Sequence, residues 1–433
     1  MTRSLGGKIL TLALTASLVA ACTSTSNEEP EEPTGPVELS FWSWAPNIEK
    51  VVDRWNADNP DMKVTLSKQA GGADIVTKLL TAAKAGNPPD LAQVEYQALP
   101  TLVSNDVLAD IAGQANQVKD RFAEGTWQQV TLGTDAVYAI PQDAAPMMLY
   151  YRSDLFERFG LTVPKTWDEF AQTARTLRGK TDKHLLTTFS ATDPGWFAGL
   201  TQQAGAAWWG IEGESWRVSV NDAATKKVAD YWGGLVAEGV VDGKPMYTPE
   251  WNKALNDGTL LAWPSAVWAP GVLAGNAPDT KGKWAMAPLP QWTAGENRTG
   301  NWGGSSTGVT AASKHKTAAV KFATWLNTDP TATSMLVREA AVYPAARDAQ
   351  TGSALAQPPA FFANQADFYP LTKQIAETAA GVTWGPNVNV TYQVYQDEFA
   401  KAISQKTPFS AAVDAMQTAT VDDMRKNGFT IAG

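Results

Sequence analysis

Apolar residues recur along the chain with two different periods, which predict strands alternating with helices. Residues 39–41 alternate as in a strand, residues 48–55 place apolar side chains at helical spacing, and residues 64–66 alternate again. The Asn59-Pro60 pair ends the helix between the two strands. A strand, a helix and a strand in this order predict two parallel strands of one sheet, with the helix packed across its face.

The same alternation continues along the chain. Residues 75–83 have the spacing of an amphipathic helix, and residues 91–94 form a short apolar run that is typical of a buried strand. Thr166 and Glu169 have the T-x-x-E spacing of a capping box, which predicts the start of a helix. Apolar spacing predicts three more helices, at residues 316–327, 395–403 and 410–426. The whole pattern indicates the α/β class with additional helices near the C-terminus.

The N-terminus has the features of an export signal. Positive charge at Arg3 and Lys8 precedes an apolar run at residues 9–21, which is too short to span a bilayer comfortably. The run ends in LVAAC, which resembles the lipobox of bacterial lipoproteins, where the signal is cut before a cysteine that then carries lipid. We therefore expect residues 1–21 to be a lipoprotein signal peptide and Cys22 to be lipidated. The alternative is an ordinary signal peptide with a chance cysteine.

The segment after the signal predicts a flexible tether. Residues 22–36 are polar, acidic and rich in proline, with no apolar residue that could anchor them in a core. We therefore expect a protein held by lipid on the extracytoplasmic face of the cell membrane, tethered to the bilayer without spanning it. Cys22 is the only cysteine of the sequence, so no disulfide can form within the chain.

The composition excludes several classes of function. The chain has 433 residues, enough for two lobes, and its formal net charge of −9 offers no basic surface for nucleic acid. His184 and His315 are the only histidines, and neither has a second His or Cys at metal-ligand spacing, so we expect no metal and no cofactor. The sequence has no glycine motif for nucleotide binding. Its 18 tryptophans outnumber both Phe and Tyr and call for an explanation.

Four blocks of the sequence carry a resemblance to a known family. They are AGNPPDLAQVE at residues 85–95, the stretch at residues 138–170, GTLLAWPSAVWAPG at residues 258–271, and residues 286–326. The second block combines a strand that ends in proline, a Tyr-Tyr pair, a helix, and the segment TWDEF. Together the blocks resemble the family 1 extracellular solute-binding proteins, the maltose-binding-protein-like family of carbohydrate-binding subunits of ABC importers.

The resemblance implies an architecture. It implies two α/β lobes of the periplasmic-binding-protein-like, type II-like fold, with a ligand cleft between lobes that are joined by several hinge crossings. We place two crossings near residues 144–147 and 300–305, and a third within residues 349–370. The expected segments are lobe 1 at residues 37–145 and 303–360, and lobe 2 at residues 146–302 and 361–433.

A sugar ring has two apolar faces and a rim of hydroxyls, so a sugar site combines aromatic rings with polar side chains. Tryptophans in loops or at strand ends are the expected platforms, namely Trp44, Trp196, Trp268, Trp302 and Trp384. Gly303 beside Trp302 permits close backbone approach and hinge motion. By the family resemblance, Trp268 also matches a stacking position and Trp196 the aromatic of a second-lobe loop. The alternative for each ring is packing in the core.

Other residues divide between the site and the core. Glu95, Asp143 and Asp193 follow strand ends or turns and are expected to bind sugar hydroxyls; the alternative is a structural role, which for Asp193 is the capping of its own turn. Trp263 is as easily a core residue as a site residue. Helical spacing assigns four other tryptophans to the core: Trp55, Trp167, Trp232 and Trp325.

These observations predict a monomeric receptor that captures a di- or oligosaccharide by hinge closure and delivers it to the permease subunits of an ABC importer, without catalysis. One alternative is a secreted glycoside hydrolase, which would also combine Trp rings with paired carboxylates. Another is a binder of a different solute, such as a polyamine. A polyamine site would cluster carboxylates around the rings without donors suited to hydroxyls.

Overall fold

The computed structural model describes residues 35–432. The predicted signal peptide, the lipidation site Cys22 and the tether up to residue 34 lie outside the described residues. Ten strands are present in the described range: β1 (Val37–Ser43), β2 (Met62–Lys68), β3 (Leu91–Glu95), β4 (Ala139–Pro141), β5 (Met147–Arg152), β6 (Trp209–Glu212), β7 (Ser215–Val218), β8 (Ala262–Ala266), β9 (Trp284–Pro288) and β10 (Ser305–Val309).

The same range contains sixteen α-helices, and none of them is long and apolar enough to cross a membrane. They are α1 (Ile48–Asp58), α2 (Ala73–Lys84), α3 (Leu99–Val103), α4 (Ala112–Ala115), α5 (Glu124–Thr131), α6 (Ser153–Arg158), α7 (Trp167–Lys180), α8 (Pro194–Gln203), α9 (Ala223–Ala237), α10 (Pro249–Asp257), α11 (Ala269–Asn276), α12 (Lys316–Thr328), α13 (Pro330–Ala340), α14 (Phe368–Ala376), α15 (Val388–Gln405) and α16 (Phe409–Lys426).

The first sheet has the strand order β2-β1-β3-β10-β4. Strand β1 runs parallel to both β2 and β3, which confirms the strand-helix-strand prediction. Its alternate residues are buried against helices because successive side chains of a strand point to opposite faces. Strand β10 enters from much later in the chain and pairs antiparallel with β3 and β4. We call this sheet and the helices packed on it, including α1, α12 and α13, the first lobe.

The second sheet has the order β8-β5-β9, with β5 antiparallel to both neighbours. Helices α8, α9, α15 and α16 pack against one another beside it, and we call this assembly the second lobe. An aromatic cluster fills its core, where Trp232 is fully buried with its ring 5.7 Å from that of Trp167. Trp55 of the first lobe is also buried and lies 5.0 Å from Trp325, so the core assignment is confirmed for Trp55, Trp167 and Trp232. Trp325 is half-buried and packs against the edge of the same core.

Local capping fixes the start of α7 as the sequence predicts. The Thr166 hydroxyl accepts a hydrogen bond from the Glu169 backbone N–H at 3.1 Å. The Glu169 carboxylate reaches back to the Lys165 backbone N–H at 2.7 Å. The first bond satisfies an N–H group of the first helical turn that has no partner within the helix. The second reaches one residue before the N-cap, so it is a shifted form of the return bond of a capping box.

The chain passes between the lobes on neighbouring segments. Strand β4 belongs to the first sheet and β5 to the second, while β9 belongs to the second and β10 to the first. The two connections run side by side, because Trp302 N–H donates to Ala145 C=O at 3.0 Å and a bridge joins Pro146 to Asn301. Gly303 and Gly304 both have positive φ, near +86° and +92°, which favours glycine at this crossing.

Candidate functional site

Two adjoining cavities lie where the lobes meet. The main cavity, about 440 Å³, is bounded in the first lobe by residues of α2 and residues 95–101. In the second lobe it is bounded by the start of α8 and the first half of α15. The smaller cavity, about 260 Å³, lies between the ends of β1 and β3 and the loop before α11. Glu95 and Gly303 line both cavities, so the two form one cleft with volumes suited to a small ligand.

The fold brings the predicted residues of the first lobe to one edge of its sheet. Trp44 follows β1, Glu95 ends β3, and Asp143 follows β4. All three line the smaller cavity, together with Trp268 of the second lobe. The carboxyl ends of the parallel strands β1 and β3 meet here, where open α/β sheets commonly bind ligands. With Gly303, five of the predicted site residues therefore surround one space.

Three predicted tryptophan rings are half-buried beside the cleft. Gly71 covers one side of Trp44, since a Cβ atom at Gly71 would lie 3.0 Å from Trp44 Cγ. The rings of Trp268 and Trp302 meet edge to face, with centroids 4.7 Å apart and an interplanar angle of 70°. The Trp268 Nε1–H donates to the Trp302 carbonyl at 2.9 Å. Each ring is therefore held by the protein while part of it still faces solvent.

Asp143 is held in place by the strand that returns from the second lobe. Its Oδ1 accepts a hydrogen bond from the Ser305 backbone N–H at 2.6 Å and a second from the Ser305 hydroxyl. Burial raises the pKa of Asp143 to about 6, while the hydrogen bonds from Ser305 act in the opposite direction. The carboxylate is therefore fixed in orientation, and its ionised form is disfavoured by the surroundings.

Glu95 stands at the junction of the two cavities. Its Oε2 accepts a hydrogen bond from Gln97 Nε2 at 2.9 Å. Burial raises the pKa of Glu95 to about 7, and the negative charge of Asp143 adds to this effect. A carboxyl group in this position can accept or donate a hydrogen bond near neutral pH, and both are useful toward a sugar hydroxyl.

Asp193 lines the main cavity from the opposite lobe. It precedes α8, but its carboxylate makes no capping bond to the helix backbone. Instead it accepts hydrogen bonds from the hydroxyls of Ser190 and Thr192. Burial raises its pKa, although these hydrogen bonds counteract the shift. Asp193 therefore does not cap α8, but its hydrogen bonds hold its own turn at residues 190–193 while the side chain lines the cavity.

Of the five predicted platforms, the structure rules out Trp196 and leaves Trp384 with little exposed surface. Trp196 is completely buried; its Nε1–H donates to the Pro264 carbonyl at 2.9 Å, and its ring packs on Trp232 at 5.1 Å. It lies on α8 with its ring toward the core, so it offers no face to a ligand. Trp384 borders the main cavity but is only 7% exposed, and in the described chain its indole N–H has no acceptor. Trp263 is 1% exposed and belongs to the core.

Sequence reasoning missed several polar residues of the cleft. Tyr392 of α15 lines the main cavity, and Tyr343, after α13, lines the smaller one with a hydroxyl that no described residue satisfies. Amide side chains complete the main cavity: Gln97, Asn301, Asn389, Gln393 and Gln396. No local motif marks these residues, because they come from separate segments that only the packing of the two lobes brings together.

Tyr247 is a further aromatic residue that the sequence analysis missed. Tyr247 is 41% exposed, and its ring centroid lies 6.4 Å from that of Trp302. Its φ of +62° is unusual for a bulky residue and is found mostly where the surrounding structure enforces it. The distance to the Trp302 ring places Tyr247 at the edge of the same cluster of rings.

A larger concavity of about 860 Å³ lies elsewhere on the first lobe. Phe122 and Trp127 line it, but both are at least 96% buried, with exposed fractions of 3% and 4%, and offer little ring surface. The cleft is therefore the better candidate for ligand binding. Within residues 35–432 no group of three or more His, Cys, Asp or Glu side chains is arranged to hold a metal ion.

Comparison with known families accounts for this arrangement. A family described as bacterial extracellular solute-binding protein matches residues 42–333, about two thirds of the chain. The chain belongs to this family. The match includes most of both sheets and the two connections between them, so the resemblance inferred from the four sequence blocks is confirmed.

Individual relatives agree with this assignment. The chain is 26% identical over 391 residues to the lactose-binding protein of Rhizobium radiobacter, covering 86% of this chain and 87% of that protein. It is 26% identical over 302 residues to the arabinooligosaccharide-binding protein of Halalkalibacterium halodurans, covering 66% of each.

A solved structure gives the same result for the fold. The galacto-N-biose/lacto-N-biose I-binding protein of the ABC transporter from Bifidobacterium longum, solved in complex with lacto-N-biose, superimposes with a TM-score of 0.84 at 28% identity. The similarity covers 93% of this chain and 100% of that chain. The predicted two-lobe solute-binding fold is thereby confirmed.

Proposed function

We propose that this protein captures a di- or oligosaccharide outside the cell and delivers it to an ABC importer without changing it chemically. The observation that carries the proposal is the convergence of Trp44 and Trp268 with Glu95 and Asp143 around one cavity between the lobes. Rings supply faces for the apolar sides of a sugar, and carboxyl groups bind its hydroxyls. Family membership and the sugar-binding relatives support the same function.

The polar lining of the main cavity favours a sugar over a polyamine. A polyamine offers only N–H donors and apolar carbon, so it needs acceptors and negative charge. The main cavity also presents donors, namely the amide N–H groups of Gln97 and Gln393 and the hydroxyl of Tyr392. Donors and acceptors together match hydroxyl groups, each of which both donates and accepts.

The position of the cleft supports capture by closure of the lobes. Ligand contacts come from both lobes, so a bound sugar stabilises the conformation in which the lobes are close together. The crossing at Gly303 and Gly304 supplies backbone that can adjust its dihedral angles. In this proposal the closed form is what the permease subunits recognise.

The proposal extends to the location of the protein. The lipobox at Cys22 would tether a monomeric receptor to the extracytoplasmic face of the membrane, and residues 22–36 would let the folded part move above it. The expected mature protein begins at Cys22. Labelling with a radioactive fatty acid tests this, and Cys22→Ala should abolish the label.

Titration of the purified protein with a panel of disaccharides and short oligosaccharides tests the function, with intrinsic Trp fluorescence as the readout. A saturable change with chemically intact sugar is expected. Trp268→Ala should weaken binding at least 30-fold, or about 2 kcal/mol, as truncation of a central aromatic contact commonly does. Trp325→Phe is a matched control, because Trp325 packs on Trp55 and lines neither cavity.

Three outcomes would contradict the proposal. Release of monosaccharide during the titration would indicate a glycoside hydrolase. Saturable binding of spermidine in place of any sugar would indicate a polyamine receptor. Unchanged sugar affinity in Trp268→Ala would show that the ligand binds outside the cleft described above.

A further inference from the structure

The lining of the cleft carries charge of one sign only. Glu95, Asp143 and Asp193 face the two cavities, and no Lys, Arg or His is among the described residues that line either one. The whole sequence contains 35 Lys and Arg residues, so their absence from this surface is a local feature. None of the three carboxylates makes an ion pair with another described residue.

The hydrogen bonds of Asp143 and Glu95 leave one oxygen of each carboxylate free to accept from a ligand. Asp143 uses Oδ1 for Ser305, and Glu95 uses Oε2 for Gln97. No described side chain or backbone group donates to Asp143 Oδ2 or to Glu95 Oε1. These oxygens can accept from ligand hydroxyls, but nothing in the lining could compensate a second negative charge. A buried charge without a partner is strongly disfavoured.

We propose that Glu95, Asp143 and Asp193 act as a charge filter, so that the cleft accepts neutral sugars or sugars with an amino group and rejects sugars that carry a carboxylate or a phosphate. This inference rests on the proposed sugar-binding function and adds the chemical class of the ligand. The three carboxylates are distributed across both cavities and both lobes. An anionic group therefore meets negative charge at either end of the cleft.

The titration of the carboxylates supports the filter and gives it a pH dependence. Burial raises the pKa of Glu95 to about 7 and that of Asp143 to about 6, so both are ionised at pH 8 and largely protonated at pH 5. Burial also raises the pKa of Asp193 above its usual value, although the hydrogen bonds from Ser190 and Thr192 counteract the shift. Burial raises the pKa values of the nearby tyrosine hydroxyls further above neutrality, so they stay uncharged in this range: Tyr96, Tyr343, Tyr392 and Tyr395. Rejection of anions should therefore be strongest at pH 8.

Matched ligands test the filter by fluorescence titration of the purified protein. Lactose, cellobiose and maltose are each compared with the same disaccharide oxidised at C6 to the uronate, and cellobiose is also compared with the β-1,4-linked glucosamine disaccharide. For each neutral sugar that binds, we expect the uronate to bind at least 100-fold more weakly at pH 8, and the difference to shrink at pH 5. Equal or tighter binding of the glucosamine disaccharide would support the filter.

Substitutions show which carboxylates cause the discrimination between neutral sugar and uronate. Glu95→Gln removes one charge and should reduce the discrimination between neutral sugar and uronate at least tenfold at pH 8. Asp193→Asn provides a second test if Glu95→Gln loses all affinity, and Glu157→Gln, an exposed residue of α6 that lines neither cavity, should change nothing.

The outcomes separate the filter from the function on which it rests. A uronate that binds as tightly as its neutral partner at pH 8 would overturn the filter and leave sugar capture intact. Discrimination unchanged in both Glu95→Gln and Asp193→Asn would also overturn it. Failure of every sugar in the set to bind would count against the sugar-binding function itself and would remove the basis of the filter.

Discussion

Replacement of Glu95 by glutamine should change how the stability of the ligand-free protein depends on pH. Burial raises the pKa of Glu95 from 4.5 to about 7, with a contribution from Asp143. A carboxyl group with a raised pKa binds its proton more tightly in the folded than in the unfolded chain. Its stabilising contribution is therefore complete below about pH 4.5 and is lost as the pH rises through 7.

The size of the effect follows from the same values. A difference of about 2.5 pH units at 1.36 kcal/mol each corresponds to a loss on the order of 3 kcal/mol for wild type between pH 4.5 and pH 8. Glu95→Gln cannot ionise, and its side-chain oxygen can still accept from Gln97. We expect the variant to match wild type near pH 4 and to be more stable by about 3 kcal/mol at pH 8.

Urea unfolding curves followed by Trp fluorescence at several pH values between 4 and 8 provide the measurement. The pH dependence of the free energy of unfolding that remains in Glu95→Gln should come chiefly from Asp143, whose pKa of about 6 lies in the same pH range. Glu157→Gln, which removes an exposed carboxylate, should follow the wild-type curve at every pH. Parallel curves for wild type and Glu95→Gln would refute the assignment of a raised pKa to this carboxyl group.

Two further substitutions test local features of the fold. Gly304→Ala should destabilise the protein by about 2 kcal/mol in a thermal melt, because φ is +92° and the new Cβ would lie 2.9 Å from the Tyr96 ring. Gly271→Ala is the control: it lies in α11 with open space around it and should be neutral or slightly stabilising. Thr166→Ala should lower the free energy of unfolding by about 1 kcal/mol through loss of the cap on α7, and an unchanged urea midpoint would contradict this role.

Local sequence patterns anticipated those elements that short-range forces fix. The apolar spacing at residues 48–55 corresponds to α1, and the T-x-x-E capping box marks the start of α7. Such features depend on residues three or four positions apart, which contact one another in any helix regardless of the rest of the fold. The antiparallel direction of the second sheet was not predicted, because it depends on which distant segments pair with β5.

The fate of individual tryptophans shows where local reasoning fails. Trp196 follows a turn signal and was expected to be a platform, yet it lies on the inner side of α8, with its ring against Trp232. Trp268 comes from a segment of similar composition but remains at the cleft, because the loop before α11 is where the second lobe meets the first. The local sequence places both rings near a turn. The direction of each ring depends on how its helix, α8 or α11, packs in the second lobe.

The sequence by itself determined the α/β class, the family, the helices with strong periodicity and the types of residue that a sugar site requires. Tertiary structure decided which of those residues meet. Glu95 and Asp143 are 48 positions apart in the chain, yet the charge of Asp143 contributes to the raised pKa of Glu95, because β3 and β4 flank β10 in one sheet. Tyr343 and Tyr392 reach the same cleft from the two lobes. The physical reason is that burial and electrostatic coupling depend on distance in space, and local patterns in the chain do not encode that distance.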